Sequence, residues 1–374
     1  MSEWKKTYLR DLIVIKNGKD HKKLKNGQYP VYGSGGIMRY ADSYLYDQES
    51  VLLPRKGTLN NIQFVTDPFW TVDTCYYTVV NKDKVLPYFL YCCLCKMDIQ
   101  SLNTGSAVPS MTFEKYYSIE VPIPPLSTQH RIATILSRYD SLIENYQKQI
   151  KLLEEAAQRL YKEWFVDLRF PGHENTNIID GVPEGWEKKK VNSIIELQSG
   201  FAFKSSTFDD NGAYKIVTIK NVKDGAFDGD NVSRIVAIPE KMPKHCVLAD
   251  GDILLSLTGN VGRVCIVNGK NYLLNQRVAK LATDYKAFAY CLFRSRDMFI
   301  EVNNLANGAA QQNVSPIRIG GIKMLLPNMD MLQKFESTAS KLITRIIYLQ
   351  SQLRLLTEAR DRLLPKLMNG EIEI

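Results

Sequence analysis

The side chains best suited to chemistry in this sequence are amides, guanidinium groups and hydroxyls on two glycine turns. The first turn carries Arg55, Lys56, Thr58, Asn60 and Asn61, and the second carries Ser256, Thr258, Asn260 and Arg263. Two further amide-rich runs are Asn275-Gln276-Arg277 and Gln311-Gln312-Asn313. Such paired donors and acceptors can tell base edges apart in the major groove of DNA. Turns also favour Asn, Thr and Gly for backbone reasons alone, so each residue keeps that simpler interpretation as well.

Arrangements typical of catalysis do not occur in the sequence. Asp67-Pro68-Phe69-Trp70 lacks the second proline of a DNA methyltransferase motif, and there is no GxxxxGK[ST] phosphate loop. Asp250 and Asp252 are not followed by the Glu-x-Lys of a nuclease, so we interpret them as turn residues. Ser, His and Asp residues show no triad-like order. We therefore predict a protein that is not an enzyme and has no catalytic residues.

The cysteines and histidines do not indicate a metal site. Among the seven cysteines, Cys92, Cys93 and Cys95 are clustered with a spacing that fits neither a disulfide scaffold nor zinc. The four histidines lie away from any cysteine pair. We expect reduced, buried cysteines and no metal.

Length and charge suggest a globular protein with a polyanionic partner. The 374 residues are enough for two domains plus connectors. A net charge of +8 suits a nucleic acid, although it also occurs in proteins with other roles. No stretch has the apolar length of a membrane span, and the opening residues lack a signal-peptide core. We expect a cytoplasmic protein with no membrane contact.

The sequence contains an internal repeat, which determines the expected architecture. The segment from Trp4 to Gly18 recurs from Trp186 to Gly200, an offset of 182. The apolar run and glycine turn at 51–60 recur at 253–262, and the run from Gly105 recurs from Gly308, with offsets of 202 and 203. We therefore expect two related domains, with about twenty extra residues in the second.

Each repeat ends in a segment whose apolar residues are spaced alternately by four and three. This heptad period predicts two long helices, each with a narrow seam facing a partner. At an offset of 203 the two seams share one register, with Arg360 as a polar exception. The predicted seam residues are Ile132, Leu136, Tyr139, Ile143, Tyr146, Ile150, Leu153, Leu160, Phe335, Leu342, Ile346, Leu349, Leu353, Leu356 and Leu363.

The simplest arrangement pairs the two helices with each other. Since each follows an equivalent domain, a pseudo-twofold relation would make them antiparallel and place the domains at opposite ends. The alternative is that each is a long core helix of its own domain. We expect Pro171-Gly172 to stop the first helix, and Pro365 to kink or end the second near Leu364.

The predicted fold class is α+β, with two pseudo-twofold-related mixed domains separated by an antiparallel two-helix coiled coil. The expected boundaries are 1–128 for the first domain, 129–170 for the first long helix, 171–328 for the second domain and 329–374 for the second long helix. Short β-branched or aromatic runs bounded by turn residues predict strands. These runs are 29–32, 51–53, 74–80, 214–219, 252–257 and 263–267, and helical spacing occurs at 87–102 and 285–305.

These features resemble the specificity subunits of type I restriction-modification systems over essentially the whole chain. The resemblance rests on the opening Trp with a helix-like segment, the Gly-Asp-Ile-Leu strand and glycine turn from Gly251, and the Gly-Ala-Ala-Gln-Gln-Asn run from Gly308. The Val-Pro-Ile-Pro-Pro-Leu segment from Val121, which leads into a heptad helix, is the most specific part. The family often has Glu-Gln before the helix, where this chain has Thr128-Gln129 and Met331-Leu332-Gln333.

The resemblance implies a non-catalytic subunit that binds double-stranded DNA. Its two target-recognition domains would read a split, asymmetric site whose gap is set by spacer helices. It also implies two modification subunits, docked on the spacers, and restriction subunits with the motor and nuclease. S-adenosylmethionine, ATP and Mg would act on those partners, with no cofactor in this chain.

Two other functions remain open from the residues themselves. One is a coiled-coil scaffold whose end domains bind protein, with incidental basic charge, and the other is an enzyme of unrecognised type. Lys22-Lys23 and Lys188-Lys189-Lys190 could be solvated surface or phosphate contacts.

Overall fold

The repeat in the sequence folds into two units. The structure is a computed structural model that describes residues 4–105, 107–306 and 312–372. Unit 1 comprises Met1–Ile143 and Leu356–Ile374, and unit 2 comprises Glu144–Leu355. Both long helices therefore contribute residues to both units.

The elements of unit 1 follow the short apolar runs of the sequence. Its strands are β1 (Lys5–Tyr8), β2 (Ile13–Asn17), β3 (Tyr29–Gly33), β4 (Gly36–Ala41), β5 (Ser50–Pro54), β6 (Gln63–Val65), β7 (Trp70–Thr71), β8 (Cys75–Val80) and β9 (Glu120–Ile123). Its helices are α1 (Pro87–Cys95), α2 (Phe113–Tyr117) and the start of α3 (Leu126–Tyr161). The strands form sheets in the orders β2-β8-β5-β6, β4-β3-β7 and β1-β9.

Unit 2 repeats this plan with additional strands. Its strands are β10 (Ile178–Ile179), β11 (Val182–Pro183), β12 (Glu187–Lys190), β13 (Glu196–Ser199), β14 (Tyr214–Val217), β15 (Ser233–Ile235), β16 (Val247–Leu248), β17 (Ile253–Ser256), β18 (Val264–Ile266), β19 (Tyr272–Leu274), β20 (Val278–Ala282) and β21 (Lys323–Leu326). Its helices are α4 (Lys286–Arg294), α5 (Arg296–Asn304), α6 (Pro316–Gly320) and most of α7 (Met329–Met368). The sheet orders are β13-β20-β17-β18, β15-β14-β19-β16, β12-β21 and β10-β11.

The strand registers show that the two units are copies of one fold. Lys5 pairs with Ile123 in β1-β9, and Glu187 pairs with Leu326 in β12-β21. In the four-stranded sheets, Leu53 pairs with Tyr76 and Leu255 pairs with Ala279. These pairs differ by the offsets read from the sequence, so the expected α+β class with two related mixed domains is confirmed.

Within each unit the two long helices pack antiparallel. In unit 2, Gln149 of α3 lies beside Arg345 of α7, whereas Trp164, which follows α3, packs on Phe335 near the start of α7 with ring centroids 5.7 Å apart. In unit 1, Arg360 donates to Asp140 across 2.9 Å. All fifteen predicted seam residues are buried or half-buried. Arg360, the polar exception, is therefore held by an ion pair between the helices.

The first long helix ends earlier than expected. Its α-helical part stops at Tyr161, continues as a π-helical turn over Lys162–Val166, and is followed by Leu168 with a left-handed φ of 57°. Arg169 pairs with Glu163 and Asp167 there. The prediction that Pro171-Gly172 stops the helix was wrong, because the helix already ends at this turn, before Pro171.

The second long helix continues past its proline to Met368. Leu367 and Met368 are each 1% exposed and lie in the core of unit 1. Burying these side chains stabilises the last turn, although Pro365 cannot donate a backbone hydrogen bond. The expectation that the helix could end near Leu364 was therefore wrong.

Two smaller expectations also need correction. The opening segment after Trp4 is not helical, since Leu9–Asp11 forms a single 3-10 turn between β1 and β2. The seven cysteines are free, as expected, and six are buried, but Cys95, the last residue of α1, is exposed.

Candidate DNA interface

The first glycine turn is held by a loop that comes from later in unit 1. We call residues 55–61 turn 1. The Gly57 N–H donates to the Pro109 carbonyl across 2.9 Å, and the Met111 N–H donates to the Arg55 carbonyl across 2.9 Å. The Arg55 N–H in turn donates to the Thr74 carbonyl across 2.9 Å. Gly57 has a φ of 90°, a left-handed conformation that glycine adopts without strain.

The second glycine turn is held by the same bonds in unit 2. We call residues 256–263 turn 2. Gly259 donates to Gln312 across 2.9 Å, Val314 to Leu257 across 3.0 Å, and Leu257 to Arg277 across 3.0 Å, all between backbone atoms. These are the counterparts of the three bonds of turn 1. In unit 2 the structure therefore brings together three sets of predicted residues, namely the turn itself, Arg277, and Gln312 with Asn313.

The side chains of turn 1 divide into braces and exposed groups. Asn60 donates to Asp98 across 3.0 Å and accepts from the Gln100 N–H across 2.7 Å, while Asn61 donates to the Ser34 carbonyl across 2.8 Å. These amides therefore hold neighbouring loops. Asn60 is exposed despite these bonds, and Lys56 and Thr58 are exposed and are not part of these braces. They are the groups of turn 1 best placed to meet a ligand.

Arg55 lies partly over an aromatic ring at the base of turn 1. Its guanidinium carbon is 5.9 Å from the centroid of Tyr76, and burial raises the pKa of that phenol against the opposing effect of Arg55. The Arg55 side chain is half-buried. Its charge thus remains partly accessible while its position is fixed by the ring.

In turn 2 the two hydroxyl groups are used within the chain. Ser256 is 0% exposed, and its Oγ donates to the Asn260 carbonyl and accepts from the Arg263 N–H. Thr258 is buried and donates to the Asn313 side chain across 2.8 Å. Asn260 is exposed and Arg263 is half-buried. Asn260 and Arg263 are thus the side chains of turn 2 that a ligand could reach.

The remaining predicted residues lie close to turn 2 or outside the described part of the chain. Asn275 is half-buried, with its backbone bonded to Val217, while Gln276 and Arg277 are exposed. Gln312 and Asn313 are exposed. Gln311 lies outside the described residues. The amide-rich run after Leu274 therefore forms one side of the turn 2 surface.

Sequence reasoning missed the residues of unit 1 that correspond to Arg277, Gln312 and Asn313. They are Thr74, Pro109 and Ser110, and Lys56 forms an isolated bridge with Ser110 as Thr258 does with Asn313. The offset of 203, applied in reverse to the second-unit residues, would have found them. Ser34, which contacts turn 1 from another loop, left no comparable signal.

The carboxylates considered for nuclease chemistry have structural partners. Asp252 is 5% exposed, pairs with Lys280 across 2.8 Å and accepts from the Ala249 N–H. Asp250 accepts from the Gly269 N–H across 2.9 Å. Both therefore stabilise the turn before β17, as the sequence indicated. Within the described stretches, no helix has the length and apolar character needed to cross a membrane.

These features define a duplicated recognition protein, with one turn-and-loop surface in each of two related domains. A family model described as the type I restriction modification DNA specificity domain matches residues 1–155 and 183–353. The chain belongs to this family, and it is a specificity subunit of the type I restriction-modification class.

Individual relatives agree with this assignment. The MjaIX specificity subunit of Methanocaldococcus jannaschii is 27% identical over 348 residues, which cover 88% of this chain and 79% of the relative. The MjaVIII specificity subunit of the same organism is 29% identical, over 79% of this chain and 72% of the relative. The crystal structure of the S subunit of a type I system from M. genitalium superposes with a TM-score of 0.69 at 17% identity, covering 98% of this chain and 96% of that one. The last comparison supports the fold.

Proposed function

We propose that this chain reads a bipartite, asymmetric DNA site, with unit 1 recognising one half-site and unit 2 the other. The observation that carries the proposal is a pair of turns with matching backbone hydrogen bonds and different side chains. Lys56 and Thr58 of turn 1 are replaced by Thr258 and Asn260 in turn 2. A shared frame with different donors and acceptors suits two different base sequences.

Phosphate contacts would supply most of the affinity. A chain of net charge +8 is attracted to a polyanion, and each neutralised phosphate releases counterions. Base contacts from the two turns would then select the sequence. The protein would itself catalyse no reaction.

The proposal assigns the remaining activities to partner subunits. Two modification subunits would dock on α3 and α7 and carry the S-adenosylmethionine chemistry. Restriction subunits would carry the ATP-driven and Mg-dependent steps. The two long helices would set the number of base pairs between the half-sites.

Selection from random DNA tests the assignment of half-sites. The full chain, assembled with its modification subunits, should select a sequence in two parts. Lys56→Ala with Thr58→Ala should relax one part, and Asn260→Ala with Gln312→Ala should relax the other, with about tenfold weaker discrimination for each base contact removed. Relaxation of both parts by either pair would contradict the assignment, and no sequence preference in the unaltered complex would contradict DNA recognition itself.

Helix insertions test the spacing. One heptad added to both α3 and α7 lengthens each by roughly 10 Å. At 3.4 Å per base pair, the preferred gap should grow by about three base pairs. An unchanged gap would remove the spacer role from the helices.

A further inference from the structure

The hairpin β3-β4 of unit 1 extends beside turn 1. Gly33 pairs with Gly36, so Ser34 and Gly35 form its tip. The Ser34 carbonyl accepts from Asn61 across 2.8 Å, and the Gly33 carbonyl accepts from Gln63 across 3.2 Å. The tip is therefore attached directly to the candidate DNA surface, although no residue of the tip was a sequence candidate.

The tip contains a glycine that the fold does not require. Gly36 has a φ of 117°, which accounts for glycine there. Gly35 has no such angle, and a Cβ added to it would meet no atom within 4 Å in the described chain. Since nothing inside the protein explains the missing side chain, close approach of an external surface is the physical reason left.

The strand that follows the tip exposes large apolar side chains. Ile37 is 50% exposed, Met38 is 58% exposed and Tyr40 is 51% exposed. Ile37 pairs with Tyr32 and Arg39 pairs with Val31, so Met38 is the extra residue of a β-bulge in β4. The hairpin is a two-stranded ribbon with exposed apolar side chains, a shape that the major groove of DNA accommodates.

A basic segment begins in β2 with Lys16 and leads to β3 of this hairpin. Lys16, Lys19, Lys22, Lys23 and Lys25 are all exposed, and Asp20 is the one acidic residue among them. Arg39 of β4 donates to the Leu24 carbonyl and the Asn26 side chain, each across 3.0 Å. The Asp42 N–H donates to the Lys25 carbonyl across 3.1 Å. These bonds hold residues 24–26 beside the 39–42 end of β4, so exposed lysines flank a hairpin whose tip end exposes Ile37 and Met38, a charge pattern complementary to phosphates on either side of base edges.

Unit 2 has a different element at this position. Residues 218–232 join β14 to β15 as a long loop organised around Asn221, which is 0% exposed. Asn221 donates to the carbonyls of Asp228 and Asn231 and accepts from Thr218. The stretch that matches the basic segment, residues 198–207, contains Lys204 as its one charged residue. The apolar, basic hairpin is therefore a feature of unit 1.

We infer that the β3-β4 hairpin of unit 1 enters the major groove of duplex DNA. Gly35 would let its backbone approach the bases, Ile37 and Met38 would contact thymine methyl groups, and the lysines of residues 16–25 would contact phosphates. This inference rests on the proposed DNA recognition and adds a second reading element to turn 1.

The first test uses selection from random DNA with the full chain assembled with its modification subunits. Ile37→Ala with Met38→Ala should remove a thymine preference from the half-site of unit 1 and weaken binding to the original site about tenfold. Gly35→Leu should weaken binding at least as much without lowering thermal stability, because its side chain meets open space. Val14→Ala, which removes an equally exposed apolar side chain from β2, is the control and should change neither.

The outcomes separate this inference from the proposed function. If the unaltered complex selects a bipartite site and the hairpin variants select the same site with the same affinity, the inference is wrong and DNA recognition stands. If the unaltered complex shows no sequence preference, DNA recognition fails, and the inference fails with it. Equal losses in Val14→Ala would also overturn the inference.

The second test uses salt dependence. Replacing Lys19, Lys22 and Lys23 by Gln should reduce the slope of log affinity against log salt by about two to three, near 0.9 for each phosphate that is no longer neutralised. Replacing Lys5, Lys82 and Lys84 by Gln, three exposed lysines outside every candidate DNA surface, changes the net charge equally and should leave the slope nearly unchanged. Equal slopes in the two variants would mean that the basic segment of the hairpin makes no specific phosphate contacts.

Discussion

Ser256 offers a sharp test of whether turn residues brace the fold or touch DNA. Its hydroxyl joins the Asn260 carbonyl to the Arg263 N–H at a position with 0% exposure. Ser256→Ala leaves both backbone groups without this partner, and an unsatisfied buried group costs about 1 to 3 kcal/mol. Because two backbone groups lose this partner and both are only partly buried, we expect unit 2 to lose about 2 to 4 kcal/mol of local stability.

Hydrogen exchange measures this loss where it occurs. A change of 2 to 4 kcal/mol corresponds to about 30- to 900-fold faster exchange through local opening. The increase should centre on residues 256–263. Ser206→Ala, an exposed serine in the same unit, is the matched control and should stay within about 0.5 kcal/mol of the unaltered protein.

DNA affinity decides between the two roles of Ser256. If the hydroxyl braces turn 2, affinity should fall in proportion to the loss of local order and recover at lower temperature. Unchanged exchange together with abolished sequence preference would refute this reasoning, because the hydroxyl would then be a base contact.

Three further predictions concern groups outside the turns. Burial raises the pKa of Glu336, so the stability that its protonated form contributes is complete below pH 4.5 and is lost as pH rises through the raised pKa. In urea unfolding, the stability of Glu336→Gln relative to the unaltered protein should therefore increase as the pH is raised. Glu154→Ala should cost about 2 to 3 kcal/mol in thermal unfolding, because Arg294, 15% exposed, keeps only its exposed partner Asp224; an equal cost in Asp224→Ala would contradict this. A thiol reagent at pH 7, followed by mass spectrometry, should modify exposed Cys95 well before buried Cys93, because burial raises the pKa of Cys95 to about 11 and that of Cys93 further; equal rates would contradict the burial.

The repeat made much of the fold predictable. Offsets of 182 and 203 relate the pairing of Lys5 with Ile123 to that of Glu187 with Leu326, so one unit constrains the other. The heptad spacing likewise indicated seam residues that the structure buries or half-buries. Both signals depend on periodicity, which survives in a sequence without any knowledge of tertiary contacts.

Helix ends and turns were less predictable because distant contacts decide them. The last turn of α7 is maintained by burial of Leu367 and Met368 in unit 1, which outweighs the local effect of Pro365. The segment after Trp4 has helical spacing at Leu9, Leu12 and Ile13, yet it lies between strands that pair with distant partners.

The candidate site shows the same limit at the level of side chains. Sequence placed Asn60 and Lys56 in one group, but Asn60 is engaged with a loop about forty residues away, while Lys56 is exposed. Whether an amide is free depends on tertiary hydrogen bonds that no local pattern encodes.

The discontinuous make-up of unit 1 has a consequence for biosynthesis. Its core includes Leu367 and Met368, which leave the ribosome only after every residue of unit 2. The core of unit 1 therefore stays incomplete, with an unfilled apolar site, until unit 2 has been synthesised, and unit 2 can fold first. Unit 2 should therefore mature before unit 1, and a chain truncated after Leu355 should carry a protease-sensitive first domain beside a resistant second one.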